Sequence, residues 1–231
     1  MVMRYSEDNM REILRCYGES EELEALLKMG KPELDGYRMF SKSMDTMIVF
    51  DDISEDDYDD ALEILDEYIY NDEDISLAQT LVSFLKKNKL VIATAESCTG
   101  GLLASAIIEV AGASEVFYEG LVTYSNLSKM RRLRVKDSTL QQFGAVSQET
   151  ALEMANALLD ENVCIGVSVT GIAGPGGGSE NKPVGLVYIG IAGENSCDII
   201  KKVFSGDRRR IRECAANTAL FYTLQHIKKY Y

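Results

Sequence analysis

The chain has 231 residues, of which 46% are apolar and 26% are charged, and its formal net charge is −13. This length predicts one large or two small domains, and strong acidity without a long basic stripe argues against a nucleic-acid partner. The longest apolar runs have the length of strands, which argues against a membrane span. The N-terminus lacks the apolar core of a signal peptide, so we expect a cytoplasmic protein.

The acidity is concentrated in the first third of the chain. Residues 1–75 hold 23 acidic and 7 basic side chains, whereas residues 76–231 carry a net charge of +3. This change in composition predicts a domain boundary near residue 75. We expect a small acidic unit of unknown role over residues 1–75, followed by a nearly neutral domain over residues 76–231.

Helices and strands are both predicted in the acidic unit, which makes it α+β. Apolar residues at helical spacing predict a helix over residues 9–29, and residues 38–50 are predicted to form two strands around a turn at 43–45. A second helix is predicted over residues 57–70, with Asp and Glu along its outer face. Such a face is more often solvated than bound to a partner. Residues 71–74 are the predicted linker.

The second unit alternates strands with helices. Predicted strands cover residues 90–95, 116–124, 164–170, 184–192 and 199–204, and predicted helices start near residues 77, 102, 127, 137, 147 and 207. The short connection between the last two strands predicts an antiparallel hairpin. The pattern indicates an α/β fold, a three-layer α/β/α sandwich with a mostly parallel mixed sheet. The turns after the first three strands then gather at one end of the sheet, where ligands bind.

Histidine and cysteine limit the possible chemistry. His226 is the sole histidine and falls at the edge of a core-facing helical stripe, which excludes mechanisms that depend on a histidine base. Any nucleophile then needs Lys, Tyr or a carboxylate as its base. The five cysteines form no Cys-x-x-Cys pair and are odd in number, so neither a disulfide scaffold nor a zinc site is favoured.

Ser97 lies in the turn between the first strand of the second unit and the following helix. Backbone N–H groups and the positive end of the helix dipole meet at such a turn, which suits a nucleophile that acts near an anion. A serine that only caps the helix is an equally good interpretation. Cys98 is a rival nucleophile, but no histidine is available to activate it, and we expect it to be structural.

A glycine-rich segment follows the third strand of the second unit. Residues 171–178 contain neither a P-loop nor a dinucleotide fingerprint. Closely spaced glycines let the backbone approach a ligand and form an anion nest. We favour a ligand-binding loop over a merely flexible turn, because the segment follows a buried strand at the Ser97 end of the sheet.

Two further groups of side chains belong to the same end of the sheet. Tyr124 and Lys129 follow the second strand and are the proton carriers available beside Ser97, although each taken alone is more often a surface residue. Arg208 and Arg212 share one face of the last helix, where arginines suit a phosphate or a carboxylate. Solvated basic side chains are the alternative interpretation.

Six motifs in order resemble one family. A-E-S-C-T-G-G, V-T-Y-S-N, G-A-V-S, S-V-T-G-I-A-G-P-G-G-G, K-P-V-G and F-S-G-D-R occur between residues 95 and 208. Over residues 76–229 the chain resembles the CinA C-terminal domain, the family of nicotinamide mononucleotide deamidases called PncC. The acidic unit lies outside this resemblance.

The resemblance implies an amidohydrolase of pyridine nucleotide salvage. Such enzymes convert nicotinamide mononucleotide to nicotinate mononucleotide and ammonia, use no metal or other cofactor, and commonly form homodimers. Carried onto this chain, the nucleophile is Ser97 and the proton-transfer pair is Tyr124 and Lys129. The implied substrate-binding residues are Thr99, Gly100, Gly101, Asn126, Thr170, Gly171, Gly174, Gly176, Gly177, Arg208 and Arg212.

Two other functions are consistent with the same sequence. The second unit could bind a mononucleotide without catalysis, in which case no ammonia is released. Alternatively, the acidic unit is an interaction adaptor and the second unit only a scaffold.

Overall fold

The structure, a computed structural model, describes residues 10–231. The chain divides into two compact units, one ending at Leu77 and the other spanning Ala78–Tyr231. This division lies two residues beyond the boundary predicted from composition. Each unit has its own sheet, and the two are described in turn.

The N-terminal unit is an antiparallel sheet with two helices. Its elements are β1 (Met10–Tyr17), α1 (Ser20–Gly30), β2 (Tyr37–Lys42), β3 (Asp45–Ile53), α2 (Glu55–Leu65) and β4 (Ile69–Asn71). The strand order is β2-β3-β1-β4, and every pair is antiparallel, which is the split βαβ arrangement. A single core joins sheet and helices, and it includes Leu14, Leu23, Leu27 and Phe50.

The helix predicted over residues 9–29 is wrong in its first half, and its first residue lies outside the described residues. Met10–Tyr17 forms β1, and only the second half is helical, as α1. Leu14 and Cys16 are both buried, which is the spacing of one strand face. Hydrogen bonds to β3 on one side and β4 on the other stabilise the strand, and such non-local pairing overrides local helical periodicity.

The second predicted helix, over residues 57–70, is displaced and too long. It begins two residues earlier, because Ser54 caps α2 by accepting a hydrogen bond from the N–H of Asp57. It ends at Leu65, and Ile69–Asn71 pairs with β1 as the edge strand β4. Here too, strand pairing with a segment distant in the chain overrides the local helical pattern.

The two strands predicted in residues 38–50 are confirmed as β2 and β3. Their pairing runs from Tyr37 opposite Phe50 to Lys42 opposite Asp45. The connecting residues at 43 and 44 have φ values of 54° and 69°. Positive φ at both central positions matches the twist of a two-residue hairpin.

The second unit is a five-stranded mixed sheet with helices on both faces. Its elements are α3 (Leu77–Asn88), β5 (Ile92–Glu96), α4 (Leu102–Ile108), β6 (Phe117–Val122), α5 (Asn126–Leu133), α6 (Asp137–Phe143), α7 (Gln148–Asn156), β7 (Ile165–Gly171), β8 (Leu186–Gly193), β9 (Ser196–Val203) and α8 (Arg208–Tyr230). The strand order is β6-β5-β7-β8-β9. β5 runs parallel to β6 and β7, and β8 and β9 form the predicted antiparallel hairpin. The predicted α/β fold is confirmed.

Alternate residues of β5 separate the two helical layers. Ala93 and Ala95 belong to a core cluster with Leu133 of α5, Leu140 of α6 and Met154 of α7. Glu96 points the other way and contacts the start of α4, and α4 packs in turn against α8.

The carboxyl ends of β5, β6 and β7 meet at one edge of the sheet, because the three strands are parallel neighbours. The turns that follow them therefore lie close together, as predicted. No helix within residues 10–231 is long and apolar enough to cross a membrane.

Candidate active site

Ser97 stands at the end of β5, in the turn that leads to α4. Its N–H donates to the carbonyl of Val169 on β7 over 2.9 Å, which fixes the backbone at the edge of the sheet. The residue is only 8% exposed. Its hydroxyl accepts a hydrogen bond of 2.9 Å from Nζ of Lys129. The candidate nucleophile and an amine are therefore in direct contact.

Lys129 is completely buried in α5. Its Nζ also donates to the carbonyl of Thr123, just after β6, over 2.7 Å. A reciprocal capping box between Ser125 and Ser128 fixes the first turn of α5. The amine is thus held between the ends of two neighbouring strands.

Burial lowers the pKa of Lys129 to about 8, from an ordinary value of 10.5. Removal from water disfavours the charged ammonium, and the hydroxyl and the carbonyl to which the amine donates are both neutral groups. A fraction of the side chain is therefore uncharged near neutral pH, and an uncharged amine can accept the proton of a hydroxyl.

Glu96 holds the start of α4. Its buried carboxylate accepts hydrogen bonds from the N–H groups of Gly101 at 2.8 Å, Leu103 at 3.2 Å and Ala104 at 2.8 Å. A helix start leaves such N–H groups without backbone partners, and negative charge is favoured there. No role was predicted for this residue from the sequence. An acid placed between a buried strand and a helix start was the signal that could have found it.

A cavity of about 300 Å³ opens beside Ser97. Its wall combines the turns after β5, β6 and β7 with the segment before α7 and the start of α8. The lining residues are Ser97, Cys98, Tyr124, Lys129, Ala145, Val146, Thr170, Gly171, Ile172, Ala173, Gly174, Gly176, Gly177 and Arg208. The turns predicted to gather at one end of the sheet thus share one cavity.

Nine of the fourteen residues predicted for the site line this cavity. The other five are Thr99, Gly100, Gly101, Asn126 and Arg212. The catalytic and substrate-binding roles of all fourteen stay predictions. Gly100 and Gly101 have φ values of 61° and 96°, which favour glycine. Both therefore shape the turn after Ser97.

Tyr124 lies at the mouth of the cavity and is 66% exposed. Its hydroxyl is 3.5 Å from Nη2 of Arg208, whose Nη1 donates to the carbonyl of Gly174 over 2.8 Å. The recorded hydrogen bond of the phenol is thus to this arginine. Its role as a second proton carrier stays a prediction.

Residues on either side of the glycine-rich loop bind the segment before α7. Thr170 donates from its hydroxyl to the carbonyl of Ala145 over 2.7 Å. Lys182 donates from Nζ to the carbonyls of Phe143 at 2.6 Å and Val146 at 2.7 Å. These bonds bring Ala145 and Val146 into the cavity wall. Their side chains carry no reactive group, so only the G-A-V-S motif marked them in the sequence.

Cys98 also lines the cavity, but its thiol is poorly suited to attack. Burial raises the pKa of Cys98 to about 11. The thiolate is the nucleophilic form of cysteine, so little of it exists near neutral pH. This agrees with the structural role expected for the residue.

His226 takes part in a hydrogen-bonded set away from the cavity. Its Nδ1 lies 2.6 Å from Oδ2 of Asp198, and its Nε2 lies 3.0 Å from Oγ of Ser196. In a catalytic triad the acid is buried, whereas here the histidine is buried and the Asp198 side chain is 33% exposed. None of the three residues lines the cavity. The set fastens α8 to β9, and the core-facing position predicted for His226 is confirmed.

A comparison with protein families shows to which family the chain belongs. A family model described as CinA C-terminal domain matches residues 74–227. The chain belongs to the CinA C-terminal domain family. The match covers nearly the same part of the chain as the motif resemblance over residues 76–229, and nearly all of the acidic unit precedes the matched residues. Within residues 10–231, no group of three or more His, Cys, Asp or Glu side chains is arranged to hold a metal ion.

Curated relatives carry CinA names. The chain is 52% identical over 159 residues to a CinA-like protein of Kosmotoga olearia, which covers 68% of this chain and 39% of the relative. It is 47% identical over 167 residues to a CinA-like protein of Fusobacterium nucleatum, covering 71% of this chain and 41% of the relative. The chain thus spans about two fifths of the length of these relatives.

Solved CinA structures share the fold of the second unit. The competence/damage inducible protein CihA of Agrobacterium tumefaciens is 42% identical with a TM-score of 0.63, and the match covers 66% of this chain and 93% of that one. A CinA superfamily protein of Escherichia coli is 32% identical with a TM-score of 0.63, and the match covers 65% and 88% of the two chains.

Proposed function

We propose that this member of the CinA family is an amidohydrolase that cleaves the carboxamide of nicotinamide mononucleotide to nicotinate mononucleotide and ammonia. The observation that carries the proposal is the 2.9 Å hydrogen bond between Lys129 Nζ and Ser97 Oγ at the wall of a cavity. A serine beside an amine with a pKa of about 8 has the base that its activation needs.

The first half of the reaction forms an acyl-enzyme. Neutral Lys129 takes the hydroxyl proton of Ser97 while Oγ attacks the carboxamide carbon. The C–N bond then breaks, the Lys129 ammonium gives its proton to the departing nitrogen, and ammonia leaves. The nicotinoyl group remains attached to Ser97 as an ester, and Lys129 is again neutral.

The second half of the reaction releases the acid. Lys129 takes a proton from a water molecule as the water oxygen attacks the ester carbon. The bond from that carbon to Ser97 Oγ breaks, and the Lys129 proton returns to Oγ. The product is a carboxylic acid, which ionises to nicotinate mononucleotide.

Backbone N–H groups after Ser97 are the proposed donors to the negatively charged carbonyl oxygen. In the described part of the chain, the N–H groups of Cys98, Thr99 and Gly100 donate to no backbone carbonyl. Cys98, whose N–H is the first of the three, lines the cavity. Donors fixed before the reaction stabilise such an oxyanion without reorganisation.

The rest of the cavity is proposed to hold the nucleotide. A volume of about 300 Å³ is typical of small-molecule sites. Arg208 is the other cationic lining residue besides Lys129, and arginine binds phosphate oxygens well. Tyr124 beside it is proposed to contact the bound substrate. Its predicted role as the proton-transfer partner of Lys129 enters none of the steps above and stays a prediction. The proposal also places the protein in the cytoplasm, as a homodimer that acts in pyridine nucleotide salvage.

Ammonia release from nicotinamide mononucleotide by the purified chain tests the proposal. We expect Ser97→Ala to abolish release while its circular dichroism spectrum stays that of the wild type. Cys98→Ala is the matched control next to it, and we expect it to keep most of the rate. Full activity of Ser97→Ala would disprove the serine mechanism. A wild type that binds the mononucleotide but releases no ammonia would instead support a binding module. The mass in solution tests the homodimer.

A further inference from the structure

Arg212 of α8 reaches across to the turn that carries Ser97. Its Nε donates to the carbonyl of Cys98 over 3.0 Å, and its Nη2 donates to the carbonyl of Thr99 over 2.6 Å. The residue is half-buried. One planar guanidinium therefore binds two successive peptide units directly after the candidate nucleophile.

Fixing these two carbonyls also fixes the N–H groups on the opposite side of each peptide. A trans peptide is planar, so its N–H points away from its C=O. The carbonyl of Cys98 shares a peptide with the N–H of Thr99, and the carbonyl of Thr99 shares one with the N–H of Gly100. Both N–H groups must therefore point away from Arg212. They are two of the three donors proposed above for the oxyanion.

The turn is held from its other end by Glu96, which accepts hydrogen bonds from N–H groups at the start of α4. Arg212 donates to two backbone carbonyls that precede Gly100, and Glu96 accepts hydrogen bonds from backbone N–H groups that follow it. The two side chains therefore hold the turn on both sides of Gly100. A Cβ at Gly100 would lie 3.2 Å from Nη2 of Arg212, which shows how closely the guanidinium approaches the backbone.

The arginines at the start of α8 have different surroundings. Arg208 lines the cavity, and exposed Arg209 pairs with Glu213 over 2.8 Å. Arg212 does not line the cavity, and it donates to carbonyls of the protein. We infer that Arg212 is a positioning residue, which orients the oxyanion donors after Ser97, rather than a ligand of the substrate phosphate. The inference rests on the proposed function.

Kinetics on two substrates separate these roles. Nicotinamide mononucleotide and nicotinamide riboside share the carboxamide, but only the first carries a phosphate. We expect Arg212→Met to lower kcat about tenfold to a hundredfold on both substrates, with KM little changed. Complete removal of one oxyanion donor costs about a hundredfold to a thousandfold, and donors that are displaced but still present cost less. Arg212→Lys, which keeps the charge and one donor group, should recover part of kcat. A raised KM for the mononucleotide alone would overturn the inference.

Arg209→Met is the matched control, since it removes an equal charge from the same helix without touching the turn. It should match the wild type on both substrates. All rates are compared well below the unfolding midpoint of each variant, so that a loss of global stability does not imitate a loss of kcat. If Arg209→Met lowers kcat as much as Arg212→Met, the effect belongs to the charge of the helix and the inference fails.

Backbone hydrogen exchange gives a readout that does not need activity. We expect amides of residues 97–104 to exchange faster in Arg212→Met than in the wild type, with the rest of the sheet unchanged. Unchanged exchange in this turn would overturn the positioning role. A wild type without amidase activity would disprove the proposed function, while the exchange data would still decide whether Arg212 orders the turn.

Discussion

The proton on Lys129 controls the proposed chemistry at the scale of single residues. Only the neutral amine is a base, and its pKa is about 8. We expect kcat/KM for ammonia release to rise with pH from 6.5 upward, by about tenfold per unit at first, and to level off above about 8.5. Initial rates between pH 6 and 10 measure the profile. A rate independent of pH across this range would contradict a lysine base.

Burying an amine for this purpose costs stability. The pKa of Lys129 falls from 10.5 unfolded to about 8 folded, and each pKa unit corresponds to about 1.4 kcal/mol. The loss of the bond to the Thr123 carbonyl offsets part of the gain when the amine is removed. We therefore expect Lys129→Met to raise the free energy of unfolding at pH 7 by about 1–3 kcal/mol, while abolishing ammonia release.

The sign of the pH dependence follows from the same shift. Between pH 8 and 10.5 the unfolded wild type still holds the Lys129 proton, whereas the folded wild type has released it. The wild type therefore gains stability with rising pH, and the advantage of Lys129→Met should disappear by about pH 10.5. Urea unfolding at pH 7 and at pH 10 measures this difference. Exposed Lys87→Met is the control, and an advantage independent of pH would contradict the assigned cause.

The start of α4 is the element that presents Ser97, and Glu96 is its anchor. Hydrogen bonds to a charged group are worth about 1.5–3 kcal/mol, and this carboxylate accepts three of them. We expect Glu96→Gln to lower the free energy of unfolding by about 1–3 kcal/mol and to lower kcat more than it changes KM. Thermal unfolding and steady-state rates measure both. Exposed Glu109→Gln at the other end of α4 should leave both values unchanged, and a Glu96→Gln variant with normal kcat would contradict the anchoring role.

Local patterns predicted the helices whose start is fixed by a neighbouring side chain. The helices predicted to start near residues 147 and 207 begin there as α7 and α8, because the side chains of Ser147 and Asp207 cap them. β1 and β4 escaped prediction, because the pairing that makes residues 10–17 and 69–71 strands comes from partners distant in the chain.

In the site too, the sequence predicted which residues come close together, but not the contacts that depend on tertiary packing. The approach of Lys129 to Ser97 followed from parallel strands that end at one edge, but its complete burial, and with it the lowered pKa, depends on tertiary packing. The bonds of Arg212 to carbonyls 98 and 99 join residues more than a hundred positions apart. A substrate contact was the expectation for Arg212, because an arginine in a sequence gives no sign of whether its partner is a phosphate or a carbonyl.

The two units of this chain differ in charge, one being strongly acidic and the other nearly neutral. Residues 1–75 carry a net charge of −16, and the acids at positions 59, 60 and 63 on α2 are exposed. This unit has a core of its own. Arg15 adds a network within it, with hydrogen bonds to Asp45, Tyr70 and Asp74. A unit with its own core and its own polar network can fold independently.

Removal of residues 1–75 tests whether the acidic unit takes part in catalysis. Every residue that lines the cavity belongs to the second unit, and so do Glu96 and Arg212, which hold the Ser97 turn. We therefore expect a fragment of residues 76–231 to fold and to release ammonia with the kcat and KM of the full chain. Circular dichroism and the ammonia assay measure the two properties. A folded fragment with a lower kcat would show that the acidic unit contributes to turnover, whereas unchanged kinetics would leave it a role in regulation, assembly or recruitment.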